Sequence, residues 1–167
     1  DGVGAYFARP FESSLIRDDG TPVSIGLTEV SEGFFDVLGL PMTRGRAFTP
    51  EEHAPAGRDA PFSLVVSDAA WTRLFGRDPA IIGKSIRIAE LPVAMTIVGV
   101  ASPLLQLPPN VDLWFNGRTT PHAVNHNYNV VARLKPGVTI AQILSAGNAA
   151  MQELGKTVPS AEGRDWV

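Results

Sequence analysis

Prolines and glycines divide this chain into short segments, and this restricts its fold more than any other feature. There are 14 prolines and 16 glycines among 167 residues. Proline removes a backbone donor and glycine favours turns, so long uninterrupted helices or strands are not expected. Apolar residues make up 44% of the chain, and a chain of this size buries about 70% of its unfolded surface. The sequence therefore predicts a folded domain built from many short elements.

The net charge and the absence of cysteine exclude several kinds of function for this chain. The net charge is −3 and the pI about 5.6, which gives no basic field for nucleic-acid binding. The chain has no cysteine, which excludes disulfides, thiolate chemistry and cysteine-based zinc sites. The longest nearly apolar stretch, Leu91 to Ala101, is far shorter than the roughly 20 residues that span a bilayer. The sequence opens at Asp1, without a starting methionine or a signal-like segment. We therefore expect a soluble piece of a longer protein.

The strand signals are short and evenly spread. Apolar residues alternate with small polar ones at 21–30, which predicts a strand with one buried face. Residues 85–90 and 93–100 are predicted to form a hairpin, the second strand being buried on both faces. The Pro-rich segment 102–110 must leave the sheet, and 111–115 is predicted as a short edge strand. Further strands are expected at 62–66 and 128–134.

Four helices are predicted from their N-terminal capping signals. The first carries the apolar pair Phe34 and Phe35 and ends at Gly39. The last is the most regular and runs to about Gly155. The expected N-caps are Ser31, Thr49, Ser67 and Thr139, with Glu52 and Gln142 completing capping boxes for the second and fourth.

Two histidines have a spacing that occurs in metal sites. His122 and His126 are four residues apart, which suits zinc binding from one helix face. Pro121 and nearby asparagines favour a loop instead, and a third ligand is present only if Asp112 folds close. The simpler interpretation is a pair of solvated loop histidines.

Catalytic and nucleotide-binding patterns are equally weak. Ser67 and Asp68 lack a nucleophile elbow and a paired base, so Ser67 is better explained as an N-cap. The carboxylates of Glu51, Glu52 and Asp59 lie in polar sequence that would not separate their pKa values. Gly2 and Gly4 lack the third glycine of a dinucleotide site. We predict no catalytic residue and no cofactor.

Five segments follow one another in a recognisable order. They are VSEGFFDVLGLPMTRGRAFTPEE (30–52), LVVSDAAWTRLFGRDPAIIGKSIRI (64–88), TIVGVASP (96–103), VDLWF (111–115) and VVARLKPGVTIAQ (130–142). The two longest carry an aromatic-rich helix followed by Gly-Arg, and a Ser-capped helix followed by Asp-Pro and Ile-Gly. In this order, the five resemble the MacB-like periplasmic core domain of ABC-transporter permeases of the MacB/FtsX class. One departure is Glu90-Leu91-Pro92, where the family usually has a tight hairpin turn.

The resemblance implies an α+β fold with two lobes. Residues 1–44 and 125–167 would form a porter-like βα lobe. Residues 45–124 would form an inserted, sabre-like lobe of mixed α/β structure. The two lobes would move as rigid bodies about junctions near 40–48 and 116–127.

It also implies a non-catalytic domain on the periplasmic side of the bacterial inner membrane. Its partners would be the transmembrane helices of the parent permease and a cytoplasmic ATPase subunit or domain, and the resemblance allows an adaptor or outer-membrane channel as well. The domain would transmit ATP-driven motion to an adaptor or a substrate. The alternative is a periplasmic binding module that holds a hydrophobic or peptide ligand in the cleft between the lobes.

Two sets of residues are singled out, the first by this resemblance and the second by apolar side chains in and beside the Pro-rich segment 102–110. The first contains motif positions with an expected structural role, including a core Trp71, an Arg46 that pairs with an acid and a Gly83 with positive φ. Its members are Gly45, Arg46, Trp71, Phe75, Asp78, Pro79, Gly83, Pro136 and Gly137. The second contains candidate contacts to a partner or ligand, with core packing as the alternative. These are Leu104, Leu105, Leu107, Trp114 and Phe115.

Overall fold

The structure of the chain is a computed structural model, which describes residues 2–54, 62–89, 91, 93–118 and 128–157. Backbone contacts divide the chain into two units. One comprises Gly2–Ala132, and the other comprises Asp1 with Arg133–Val167. The larger unit holds the sheet and both hydrophobic cores.

The elements are short, as the spacing of proline and glycine predicts. The described strands are β1 Gly2–Phe7, β2 Phe11–Ile16, β3 Pro22–Val30, β4 Arg44–Gly45, β5 Phe62–Val66, β6 Ser85–Ile88, β7 Met95–Val100, β8 Leu113–Asn116 and β9 Tyr128–Arg133. The described helices are α1 Phe34–Leu38, α2 Pro50–His53, α3 Asp68–Phe75 and α4 Ile140–Thr157.

Six strands of the larger unit form a closed ring of pairings. Along the ring the order is β2, β6, β7, β5, β8 and β3, and β3 pairs again with β2. The contacts β3–β8 and β5–β7 are parallel, while the others are antiparallel. β1 continues beside β3, β9 lies next to β1, and β4 pairs with β7. The fold is therefore a mixed α/β arrangement around one sheet.

The two faces of this sheet bury separate hydrophobic cores. Successive residues of β5 point to opposite faces, so Leu64 and Val66 enter the first core and Val65 the second. α3 covers the first core with Trp71, and α1 covers the second with Phe34. Such burial from both sides explains the nearly continuous apolar sequence of β5 and β7.

Most predicted elements are confirmed. The 21–30 strand, the β6–β7 hairpin and the departure of 102–110 from the sheet all appear. Ser67 caps α3 by accepting a hydrogen bond from the Ala70 amide at 3.1 Å, and Glu52 closes its capping box through the Thr49 amide at 2.7 Å. At these two helix starts the local capping signal identified the correct residue.

Two predictions about local structure are wrong. β8 is central rather than at an edge, because β5 pairs with one side of it and β3 with the other. Ser31 does not cap α1, whose N-cap is Gly33. The Ser31 hydroxyl instead accepts a hydrogen bond from the Ala5 amide at 2.8 Å, so it connects α1 to β1.

The predicted lobe boundaries stay a prediction. Strands from both predicted segments pair within the one ring, since β2 and β3 come from 1–44 and contact β6 and β8 from 45–124. The second predicted junction, at 116–127, lies largely outside the described residues.

The smaller unit contains α4. The Thr139 amide donates to the Gln142 side chain at 2.8 Å, and the Gln142 amide donates to the Thr139 hydroxyl at 3.3 Å. This reciprocal pair confirms the predicted capping box. Before it, Gly137 has a φ of 84° in the turn closed by Lys135 and Val138. No described helix is both long and apolar enough to cross a membrane.

Candidate functional site

The Gly45-Arg46 motif lies where β4 meets β7. Gly45 has a φ of 66°, and a Cβ atom there would collide with the Val98 carbonyl. Gly99 faces the same contact from β7, where a Cβ would collide with the Arg46 carbonyl. Both glycines are therefore required by the close approach of two backbones.

Arg46 forms the predicted ion pair with an acidic residue, Glu52. Its two terminal nitrogens lie 2.7 and 3.1 Å from the two carboxylate oxygens, a bidentate geometry. The Arg46 side chain is 51% exposed and that of Glu52 19%. The pair thus lies at the border between solvent and a more buried polar cluster.

Glu52 is the centre of that cluster. Its carboxylate also accepts hydrogen bonds from the Ser63 hydroxyl and the Thr49 amide. Burial alone would raise the pKa of Glu52, but the bonds from Arg46, Ser63 and Thr49 lower it to about 2. The fully buried Asn116 connects the cluster to the sheet by accepting from the Ser63 amide at 2.8 Å and donating to the Glu52 carbonyl. This carboxylate remains ionised at neutral pH and joins α2 to Arg46 and to β5, while Asn116 joins the backbone of α2 to β8.

The second of the long family-like segments, at 64–88, forms a turn after α3. Trp71 is 4% exposed, as expected of a core residue. Its indole nitrogen donates to the Asp78 carbonyl at 3.0 Å, and the Arg77 guanidinium lies 4.3 Å from the ring centroid. The Asp78 carboxylate accepts from the Ala80 amide at 2.8 Å. These contacts fix the turn after the helix.

The remaining motif positions fit the same turn. Gly83 has the predicted positive φ, 85°. Phe75 is half-buried against the first core, and Pro79 is exposed in the turn. In the larger unit, Gly45, Arg46, Trp71, Phe75, Asp78 and Gly83 each have a described backbone, ion-pair or core contact.

The candidate contact residues separate into buried and exposed positions. Trp114 is 1% exposed and Leu105 8%, so both belong to the second core rather than to a surface. The Trp114 indole donates to the Leu107 carbonyl at 3.3 Å. Leu107 and Phe115 are half-buried, and Leu104 is 75% exposed. Of the five, Leu104 alone presents most of its surface to solvent.

Asp112 holds the 102–110 segment against the sheet. One of its oxygens accepts from the Gly26 amide at 3.0 Å, and the other lies 2.7 Å from the Arg73 guanidinium. Its oxygens are therefore engaged by protein groups. His122, His126 and Asp59 lie outside the described residues. Within the described ranges, no three His, Cys, Asp or Glu residues gather as a metal site.

The sequence did not predict two contacts of β9, one with β3 and one with β1. The Tyr128 hydroxyl donates to the Glu29 carboxylate at 2.8 Å, and the Asn129 amide donates to the Tyr6 hydroxyl at 3.2 Å. Burial raises the pKa of Tyr128, and the Glu29 charge raises it further. The pairs are about 100 residues apart in sequence, so no local pattern predicts them.

The surface also carries grooves that sequence patterns do not reveal. One has a volume of about 720 Å³ and lies between the turn after β2, the end of α3 and β6. Another, of about 510 Å³, lies between the start of α3 and the 102–112 segment. In the second, the Arg73 and Asp112 charges neutralise each other at 2.7 Å.

These observations define a class of protein: a mixed α/β domain whose motif residues support a closed sheet. In the part of the chain that the structure covers, Arg46 pairs with Glu52, Trp71 and Phe75 pack in the first core, and Asp78 binds its own turn. The chain belongs to the MacB-like periplasmic core domain family, whose sequence pattern it matches over residues 3–149. Family membership places the domain on the extracytoplasmic side of the inner membrane.

Individual relatives agree with this assignment. The chain is 32% identical over 89 residues to the macrolide export ATP-binding/permease protein MacB 1/2 of Paracoccus denitrificans (strain Pd 1222). That match covers 53% of this chain but 12% of the relative, so the chain corresponds to a small part of such a transporter.

Solved structures show the same fold. The extracellular domain of the noncanonic ABC-type transporter YknZ from Gram-positive bacteria matches with a TM-score of 0.64 at 20% identity, covering 94% of this chain and 75% of that one. The periplasmic region of MacB from Actinobacillus actinomycetemcomitans matches with a TM-score of 0.60 at 14% identity, covering 94% and 67%. The mixed α/β architecture is therefore shared with extracytoplasmic domains of ABC transporters.

Proposed function

We propose that this domain is a non-catalytic part of an ABC-transporter permease that transmits ATP-driven motion to a partner or substrate outside the membrane. The parent protein would supply transmembrane helices, and a cytoplasmic ATPase subunit or domain would supply the energy. An adaptor or outer-membrane channel would be the receiving partner.

The observation that carries this proposal is the closed ring of six paired strands with a core on each face. A body held by strand pairing on all sides and packed on both faces transmits displacement without deforming. The motif polar groups support the same role, because Glu52 and Asp112 fasten helices and loops to the sheet. Among the described residues, neither carboxylate is joined to a nucleophile and a base in a catalytic arrangement.

Spin labelling of the full-length transporter tests the proposal. The sequence has no cysteine in this domain, so Asp36→Cys on α1 and Ala69→Cys on α3 can carry labels on exposed positions. We expect the distance between the two labels to stay constant between the nucleotide-free and ATP-trapped states. A label at Asp36 and a second in the transmembrane part should change their separation.

Two results would contradict the proposal. One is an unchanged separation between the domain and the transmembrane part in every nucleotide state. The other is a change between Asp36 and Ala69 large enough to require opening of the sheet. The matched control is the Asp36→Cys and Ala69→Cys pair with an ATPase-inactive subunit, in which neither distance should respond to ATP.

A further inference from the structure

The first groove opens where the pairing of β2 with β6 ends. These strands pair through Leu15 with Ile88 and Ile16 with Arg87. Beyond Ile16 the chain turns back, and the Arg17 amide donates to the Thr21 carbonyl at 3.0 Å. Ser85 and Ile86 consequently pair with β7 alone. This divergence leaves an open groove between the turn after β2 and the start of β6, although the two strands stay paired at Ile16 and Arg87.

The floor of the groove is apolar. Leu15 and Ile86 are almost fully buried and belong to the first core, while Leu74 and Phe75 are half-buried beside them. The volume of about 720 Å³ is within the range of small-ligand sites in proteins, about 300–1,000 Å³. An alkyl chain could therefore lie on this floor and remove apolar surface from water.

The rim carries three cations that form no close ion pair with a described carboxylate, although the Arg17 charge acts on Asp19 in its own turn. Arg17, Lys84 and Arg87 are exposed, and none lies within 4.0 Å of a described carboxylate. By contrast, Arg46, Arg73 and Arg77 each have such a partner. Arg17, Lys84 and Arg87 therefore bring three positive charges to one groove.

Two carboxylates also line the groove, at Asp18 and Asp19. The Asp19 carboxylate accepts a hydrogen bond from the Thr21 amide at 2.9 Å, which lowers the pKa of Asp19. The Arg17 charge lowers it further, so Asp19 already offsets part of that charge. Cations therefore outnumber carboxylates on the rim, three to two. The potential at the groove favours an anion over a neutral or cationic head group.

We propose that this groove binds a single-chain anionic amphiphile, with its alkyl chain on Leu74 and Phe75 and its phosphate or carboxylate head between Arg17, Lys84 and Arg87. An acidic peptide fits less well. A peptide strand would need a row of unpaired backbone groups to extend the sheet, and β6 offers such a row over Ser85 and Ile86 alone. This site is independent of the proposed transmission of motion.

Titration of the purified chain with dodecyl phosphate below its micellar concentration tests the proposal, with calorimetry and amide NMR as readouts. We expect saturable binding with shifts at 15–20 and 84–87. Hexyl phosphate, inorganic phosphate and dodecylphosphocholine should each bind about tenfold more weakly or worse, because each lacks the full chain or the net charge.

Charge reversal provides the matched comparison. Lys84→Glu should weaken dodecyl phosphate binding by about tenfold, since it replaces an attractive charge by a repulsive one. Arg9→Glu makes the same change in net charge at an exposed position outside the groove, and it should leave binding within about twofold of the unaltered chain.

Several results would overturn the proposal. Equal affinity for inorganic phosphate would show that the apolar floor is not used. Equal losses in Lys84→Glu and Arg9→Glu would show that net charge alone governs binding. An acidic peptide that shifts the same amides and displaces dodecyl phosphate at lower concentration would assign the groove to a protein partner instead.

Discussion

Arg46 contacts Glu52 through both terminal guanidinium nitrogens, at 2.7 and 3.1 Å. This contact joins the end of β4 to α2, and Asn116 continues it into β8. The sequence motif of Gly-Arg followed by Phe-Thr and two acidic residues, at 45–52, therefore joins β4, α2 and β8 through one connected set of polar contacts. The glycine allows two backbones to meet, and the arginine and second acid hold the helix that follows.

Replacing Glu52, the residue at the centre of these polar contacts, should destabilise the domain. In Glu52→Gln the side chain loses its charge, and the bonds from Arg46 and Ser63 become weaker. We expect the free energy of unfolding to fall by about 1–3 kcal/mol, as for a partly buried charged group that loses strong partners. Urea denaturation followed by tryptophan fluorescence measures this. Glu51→Gln, at the exposed neighbouring position, should change stability far less, and an equal loss in both variants would contradict the role of Glu52.

The same residue should give the domain an acid-dependent stability. The pKa of Glu52 is lowered from 4.5 to about 2 in the folded chain, so the unfolded chain takes up its proton first as the pH falls. The stabilisation by ionised Glu52 is therefore complete above about pH 4.5 and is lost between about pH 4.5 and 2. Unfolding free energies measured from pH 6 to 3 should fall less steeply in Glu52→Gln. Identical slopes in the two proteins would exclude this contribution.

The β4–β7 contact predicts a difference between two glycine substitutions. In Gly99→Ala the new methyl group would meet the Arg46 backbone, and the strands would have to separate. We expect a loss of about 3 kcal/mol or more, since such overpacking adds to lost pairing. In Gly83→Ala there is free space around the new Cβ, and the positive φ alone costs about 1–2 kcal/mol. A larger loss for Gly83→Ala would contradict the predicted order.

The elements that could be predicted are those whose signals are local. The capping boxes at Thr49 and Thr139 form because their partners lie three residues away. The end of α1 at Gly39 is equally local, with a φ of 66°. Such signals depend on the geometry of one helical turn, which is the same in every fold.

Elements whose environment comes from distant strands were harder to predict. The sequence of β8 is short and follows a Pro-rich segment, which favours an edge position. In the fold it lies between β3 and β5, because Leu27 pairs with Leu113 across 86 positions and Val65 pairs with Trp114. Likewise, Arg17 and Lys84 reach one groove only because the turn after β2 and the start of β6 meet there. Pairing between distant segments has no periodic signature within either one.

Substitutions at Trp114 and Leu104 test whether the 102–115 segment serves core packing or contact with a partner. Trp114→Ala should lower the free energy of unfolding by about 3–5 kcal/mol, because it opens a cavity in the second core and removes the bond to the Leu107 carbonyl. Leu104→Ser should change stability by less than about 0.5 kcal/mol, because this side chain is 75% exposed. Chemical denaturation followed by far-UV circular dichroism measures both without depending on the lost indole. If Trp114→Ala were as stable as the unaltered domain, the indole would have to be accessible in solution, and the contact interpretation would regain support.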